Sequence, residues 1–281
     1  MTCHFILLST LFIAISSNVL AAPKRVSDRP VKVFQINNFD IEVKQLPKGF
    51  VGLDAGRAFL ALSASTAYGA KDKFESDADF QTRMSRAPES LRMHGTLTAA
   101  SLVAIAAPIP VADLDFDANS GLTVWREMLF GPYRTEYYTA SVEVDSTIKH
   151  QGKFQGQNAY GARAEVDQVL VVNNFVKMRI PLTTKAIESS GWTGRALHVA
   201  IPTSVSVAKN LLNYDQRSNF RYLFIGRLST PYVETKVLNL GPATIETRTT
   251  GASITQTLLM EVSEIWLYRV TTGEIIGKQK I

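Results

Sequence analysis

From residue 91 to the C-terminus the chain is a succession of apolar–polar alternations cut by turn residues, and this pattern constrains the fold more than any other feature. Successive side chains of a strand point to opposite faces, so strict alternation marks a half-buried sheet. Val111 to Val124 reads as a hairpin turning at Ala118-Asn119-Ser120-Gly121. Tyr137–Ile148, Leu197–Ile201, Tyr222–Leu228, Val233–Leu240 and Thr257–Val270 read as strands, with a last turn at Thr271-Thr272-Gly273-Glu274. Ala164–Val172 and Phe175–Ile180 read as a hairpin around Asn173-Asn174, because asparagine favours turns. Leu97–Ala107 is a long apolar run broken by Pro108 and Pro110. Near the N-terminus, Val31–Ile36 and Phe39–Leu46 read as strands around Asn37-Asn38.

Helical signals are fewer. Leu53–Ala67 carries apolar residues on most sides. Ser76 precedes Asp79 at capping-box spacing, acids fill the first turn, Phe80 and Met84 share a face, and Pro88 stops the run. Ser204–Leu212 has an apolar stripe of Val205, Ala208, Leu211 and Leu212. Early helices followed by many strands give the expected class: α+β, mainly antiparallel β in a sandwich-like sheet, with two or three helices mostly in the N-terminal third. Regular βα alternation is missing, which argues against a Rossmann-type fold.

The N-terminus reads as an export signal. Phe5–Ile15 is an apolar run, and Val19-Leu20-Ala21 supplies small residues for cleavage after Ala21. Residues 22–32 are rich in charge and proline and read as a flexible leader, with a β-rich globular region over 33–281 that has a candidate subdomain division near 181–195. The single cysteine, Cys3, falls inside the signal, so the mature chain has no thiol chemistry and no disulfide framework. No later stretch reaches the roughly 18 apolar residues of a membrane span. The net charge of +5 is spread without a run of like charges, so no nucleic-acid arm is expected.

No catalytic motif is assembled. His94, His150 and His198 are far apart in sequence, and neither H-E-x-x-H nor G-x-S-x-G occurs. Asp113, Asp115, Asp117 and Asn119 have the start of a calcium loop but lack its glycine and its terminal glutamate. Glu261 and Glu264 are three apart, which in a regular strand puts them on opposite faces and unfits them as a hydrolytic pair. Neither a metal nor a cofactor is expected. The candidate contact residues are Gln157, Asn158 and Tyr160, in a glycine-flanked polar turn, and Trp192, in a glycine-flanked loop.

Three stretches together resemble a group of secreted or periplasmic bacterial proteins with no named activity. They are Lys73–Arg83, like that group's FET-x-x-EF-x-x-R helix start; Gly156–Gly161, like its GQNAFG turn; and Glu264–Tyr268 with Thr272-Gly273-Glu274, like its closing IWVYD…TGEV hairpin. Arg269 stands where the group carries Asp. The resemblance implies an envelope location and a β-rich fold. The expected function is a non-catalytic secreted or periplasmic protein that binds another envelope protein or polymer. The alternatives are an envelope hydrolase whose site converges from distant residues, and a subunit of a secretion or surface machine whose edge strands or proline-rich leader a partner covers.

Overall fold

The computed structural model describes residues 31–281 except 66–70, 87, 90, 111–113, 132–136, 158–159, 191–193 and 245–247. The expected signal and nearly all of the leader lie outside the described residues.

The elements run β1 (Val33–Phe34), β2 (Phe50–Gly52), α1 (Ala55–Ser63), α2 (Asp77–Arg86), β3 (Arg92–His94), β4 (Leu97–Thr98), β5 (Leu102–Pro108), β6 (Leu114–Asp117), β7 (Leu122–Leu129), β8 (Tyr137–Gln157) and β9 (Arg163–Pro181). They continue with β10 (Ile187–Ser190), β11 (Gly194–Pro202), α3 (Val205–Leu212), α4 (Tyr214–Arg217), β12 (Phe220–Asn239), β13 (Thr249–Arg269) and β14 (Ile275–Lys280). The main sheet has the order β1-β2-β5-β12-β13-β9-β8, with β14 on β13. A second sheet has the order β10-β11-β7-β6, and β3 and β4 form a small ladder.

The class is therefore strand-rich, with the main sheet mixed rather than purely antiparallel. β9 and β13 run parallel at its centre, from Thr249 opposite Asp167 to Glu261 opposite Arg179. Four helices are described rather than two or three, and two of them follow residue 200, so they do not lie mostly in the N-terminal third.

Local chemistry explains the helices. Asp54 caps α1 by accepting from the Arg57 backbone N–H, and Ala55, Ala58, Phe59 and Leu62 form its buried stripe. Ser76 Oγ accepts from the Asp79 N–H at the start of α2, as its spacing predicts. Ser204 caps α3 in the same way.

The main sheet curls until β5 approaches β8. Its concave face holds the larger core, which α1 and the second sheet fill: Phe59, Leu62, Trp125, Leu197, Tyr222, Phe224, Met178 and Met260 belong to one buried cluster. Trp125 stacks on Tyr222 with ring centroids 5.0 Å apart and meets Phe224 edge-on at 6.0 Å. The convex face is covered by the N-terminal segment, where Phe39, Leu46 and Phe50 pack with Leu223, Ile225, Trp266 and Tyr268.

This covering role explains one departure from the alternation. Phe39–Leu46 forms no strand. Its backbone is tied down at separate points instead: Phe39 N–H donates to Leu102 O (3.0 Å), Leu46 N–H to Gly273 O (2.9 Å), and Lys278 Nζ donates to Ile41 O (3.0 Å) while lying 3.6 Å from the Trp266 ring centroid. Gly273 has φ +76°, and a Cβ there would sit 1.8 Å from Leu46 O, so the Thr272-Gly273 turn requires glycine.

Candidate binding surface on the projecting blade

Four strands outrun the body. β8, β9, β12 and β13 are 21, 19, 20 and 21 residues long, or about 65 Å at the usual rise of about 3.3 Å per residue. Only their body-side halves are covered by α1, the second sheet and the N-terminal segment. Their distal halves form a blade in the order β8-β9-β13-β12, with the β8–β9 and β12–β13 connections at the same end.

The junction between body and blade is where the sequence predicted a turn. Asn173 and Asn174 do not turn: β9 passes straight through them. Asn174 is buried on the concave face, beneath Gly56 of α1, and its Nδ2 donates to Asp145 Oδ1 at 2.6 Å. On the other face Ser146 Oγ donates to Asn173 Oδ1 (2.7 Å), while Asn173 Nδ2 donates to Ser253 Oγ (3.1 Å). The pair thus ties β8, β9 and β13 together. Asparagine suits a turn because its side chain satisfies backbone groups nearby; here neighbouring strands supply the partners instead.

Beyond this polar girdle the blade has open edges among the described residues, although Val166 and Val169 within it are buried. β5 pairs with β12 only from Arg221 to Arg227, so among the described residues β12 is an open edge farther out. Along Ala140–Gln157, β8 likewise pairs on one side only, with β9. The concave face carries Phe154, Val166, Leu170, Val172, Val237, Ala252 and Ile254 in matched register, continuing the apolar surface that α1 covers nearer the body. Ile148, Val237 and Leu238 are 61%, 60% and 50% exposed. On the convex face Lys153 pairs with Glu165 (2.6 Å) and approaches Asp167 (3.8 Å), and these carboxylates hold its ammonium above the usual lysine range. Lys177 reaches Glu234 at 3.0 Å across β13.

Near the tip, a hollow of about 470 Å³ is lined by Gln151, Gln168, Asn239 and Thr250 with backbone of Gly241, Gly251 and Ala252. Three side-chain amides at one place offer both donors and acceptors to a polar chain. The three amides come from three strands, and only register brings them together.

Of the candidate contact residues, Gln157 ends β8 and Tyr160 lies in the tip turn, 96% exposed. Asn158 and Trp192 lie outside the described residues.

The histidines fall in different sheets: His94 in β3, His150 in β8 and His198 in β11. His198 Nδ1 lies 3.2 Å from Glu188 Oε1. Among the described residues no three His, Cys, Asp or Glu side chains could hold a metal. Asp115 and Asp117 serve the β6–β7 hairpin, where Asp117 accepts from Asn119 N–H (2.9 Å) and Ser120 Oγ (2.6 Å); those bonds hold its carboxyl below the usual range.

Glu261 and Glu264 depart from the alternation argument. A register shift opposite Ile225/Gly226 changes the parity of β13: Val262 and Ile265 both enter the larger core. The two glutamates therefore share the convex face. Glu264 is committed there, accepting from Trp266 Nε1 at 2.7 Å. Arg269 pairs with Glu274 (3.0 Å) and covers the Phe220 ring (5.3 Å), so at this position the charge serves the closing hairpin.

No helix among the described residues is long and apolar enough to cross a membrane. In comparison with known proteins, no family model matches the sequence, and no curated protein and no solved structure is significantly similar to it.

Proposed function

We propose that this is a non-catalytic secreted or periplasmic protein that binds another cell-envelope protein through its blade, accepting an extended segment of that partner along the β8 edge. The observation that carries the reading is the open edge of β8 over Asp145–Gln157, flanked by exposed Ile148 and Phe154. An unpaired edge presents a row of backbone donors and acceptors, and an added strand satisfies them while its side chains choose the partner. Lys149, His150 and Lys153 keep this edge from indiscriminate pairing and favour an acidic segment. The same surface suits a subunit of a larger envelope assembly. The amide-lined hollow beside it supports a second reading, in which an envelope polymer lies across the tip.

The test uses the chain's lack of cysteine beyond Cys3. Single-cysteine variants Ile148→Cys and Phe154→Cys, with Val205→Cys on the body as control, are crosslinked in intact cells. The expected result is one discrete adduct from the two β8 positions, absent from the control and lost when Lys149 and Lys153 are changed to Glu. Adducts of equal yield from all three positions, or none from β8, would overturn the strand-addition reading.

A further inference from the structure

At the opposite end of β12 from the blade, a cavity of about 360 Å³ is lined by Pro108, Ile109, Tyr214, Asp215, Arg217, Ser218 and Arg221. Its two arginines are held in an unusual way. Arg217 donates from Nε to Leu211 O (2.7 Å) and from Nη2 to Leu212 O (3.1 Å), while its Nη1 is buried with no partner. Arg221 donates from Nη1 to Ser218 O (3.0 Å) and Phe220 O (2.8 Å). Among the described residues neither guanidinium makes an ion pair. Burial lowers the Arg221 pKa, and no carboxylate compensates.

A partly buried cation held only by neutral carbonyls loses hydration without gaining a counter-charge. Two of them line one cavity. Both are fixed by the scaffold: Arg221 is the second residue of β12, opposite Pro108 of β5, and Arg217 is fastened to the last carbonyls of α3. Guanidinium forks match oxyanions in geometry as well as charge. Ser218, whose hydroxyl donates to Asp215 O (3.2 Å), closes one side, and Pro108 and Ile109 supply an apolar wall.

We propose that this cavity is an oxyanion-binding site, taking a phosphoryl or carboxylate group of a ligand between Arg217 and Arg221. Asp215 lines the same cavity and competes with the anion. The site is independent of the blade and of what the blade binds.

The experiment titrates the purified protein with inorganic phosphate, and separately with acetate, against chloride at matched ionic strength, reading thermal stability and binding heat. A saturable response to phosphate assigns a phosphoryl ligand; a saturable response to acetate alone assigns a carboxylate. In either case Arg217→Gln and Arg221→Gln each weaken binding about tenfold or more. Because Arg217 also fastens α4 to α3 and Arg221 the α4–β12 turn, Asp215→Asn decides if they misfold: removing the competing carboxylate raises anion affinity about fivefold, a gain that misfolding cannot imitate. The proposal is overturned by responses no greater than chloride gives, by folded glutamine variants that bind as well as the parent, or by Asp215→Asn without a gain.

Discussion

Asn174 Nδ2 donates to Asp145 Oδ1 at 2.6 Å across the β8–β9 ladder, joining residues 29 apart in sequence where the body gives way to the blade. The contact converts a turn-forming dipeptide into a strand. Changing Asn173 and Asn174 together to Thr preserves an extended chain but would disfavour a tight asparagine turn. The double variant is expected to fold, with unfolding free energy lowered by about 1–3 kcal/mol for the lost side-chain bonds. Denaturant unfolding measures this. A chain that no longer folds would show that the asparagines do more than bridge the strands.

Trp125 couples the second sheet to the main one through its stack on Tyr222. Trp125→Ala is expected to lower stability by about 3–5 kcal/mol, as for other buried aromatics. Trp125→Phe keeps much of the packing and removes an indole N–H that has no partner, so its loss is smaller. Equal losses in equilibrium unfolding would mean that indole volume, not the stack, holds the layers together.

Gly251 lies in the parallel seam opposite Val169 with φ +140°, and a Cβ there would fall 1.8 Å from Val169 O. Gly251→Ala therefore costs more than about 1 kcal/mol, because alanine does not tolerate this backbone. The damage is expected to be local. Amide exchange should speed up over 166–172 and 249–255 while body amides such as those of 222–225 stay protected. Uniform acceleration would show that blade and body open together.

Stability has an acid and an alkaline limb. Glu75 accepts from Arg83 Nε (2.8 Å) and Nη2 (2.7 Å), and the guanidinium holds its carboxyl below its ordinary value of 4.5. A depressed carboxyl stabilises above the unfolded-state pKa, and that contribution disappears as pH falls through the folded-state value. Glu75→Gln should flatten this acid limb. Burial raises the phenols of Tyr222 and Tyr268 above their ordinary value of 10. Their contribution is present below pH 10 and is lost as pH rises, because the unfolded chain ionises first. In an absorbance titration these two tyrosines should ionise only with global unfolding; ionisation in step with the exposed tyrosines would contradict their burial.

The sequence by itself determined the elements whose causes are local. Ser76 and Ser204 cap helices, Ala118–Gly121 turns a hairpin, and Thr272-Gly273 closes the last one, because each signal acts within a few residues. The remaining features depend on contacts between distant parts of the chain. Asn173 extends because Ser146 and Ser253, 27 and 80 residues away, bond its side chain. Phe39–Leu46 leaves the strand pattern because it has an apolar sheet face to cover. Parallel pairing of β9 with β13, the parity change that puts Glu261 and Glu264 on one face, and the meeting of Gln151, Gln168 and Asn239 all depend on register. Register is set by which faces can be buried together, and that preference is shared among strands distant in the chain.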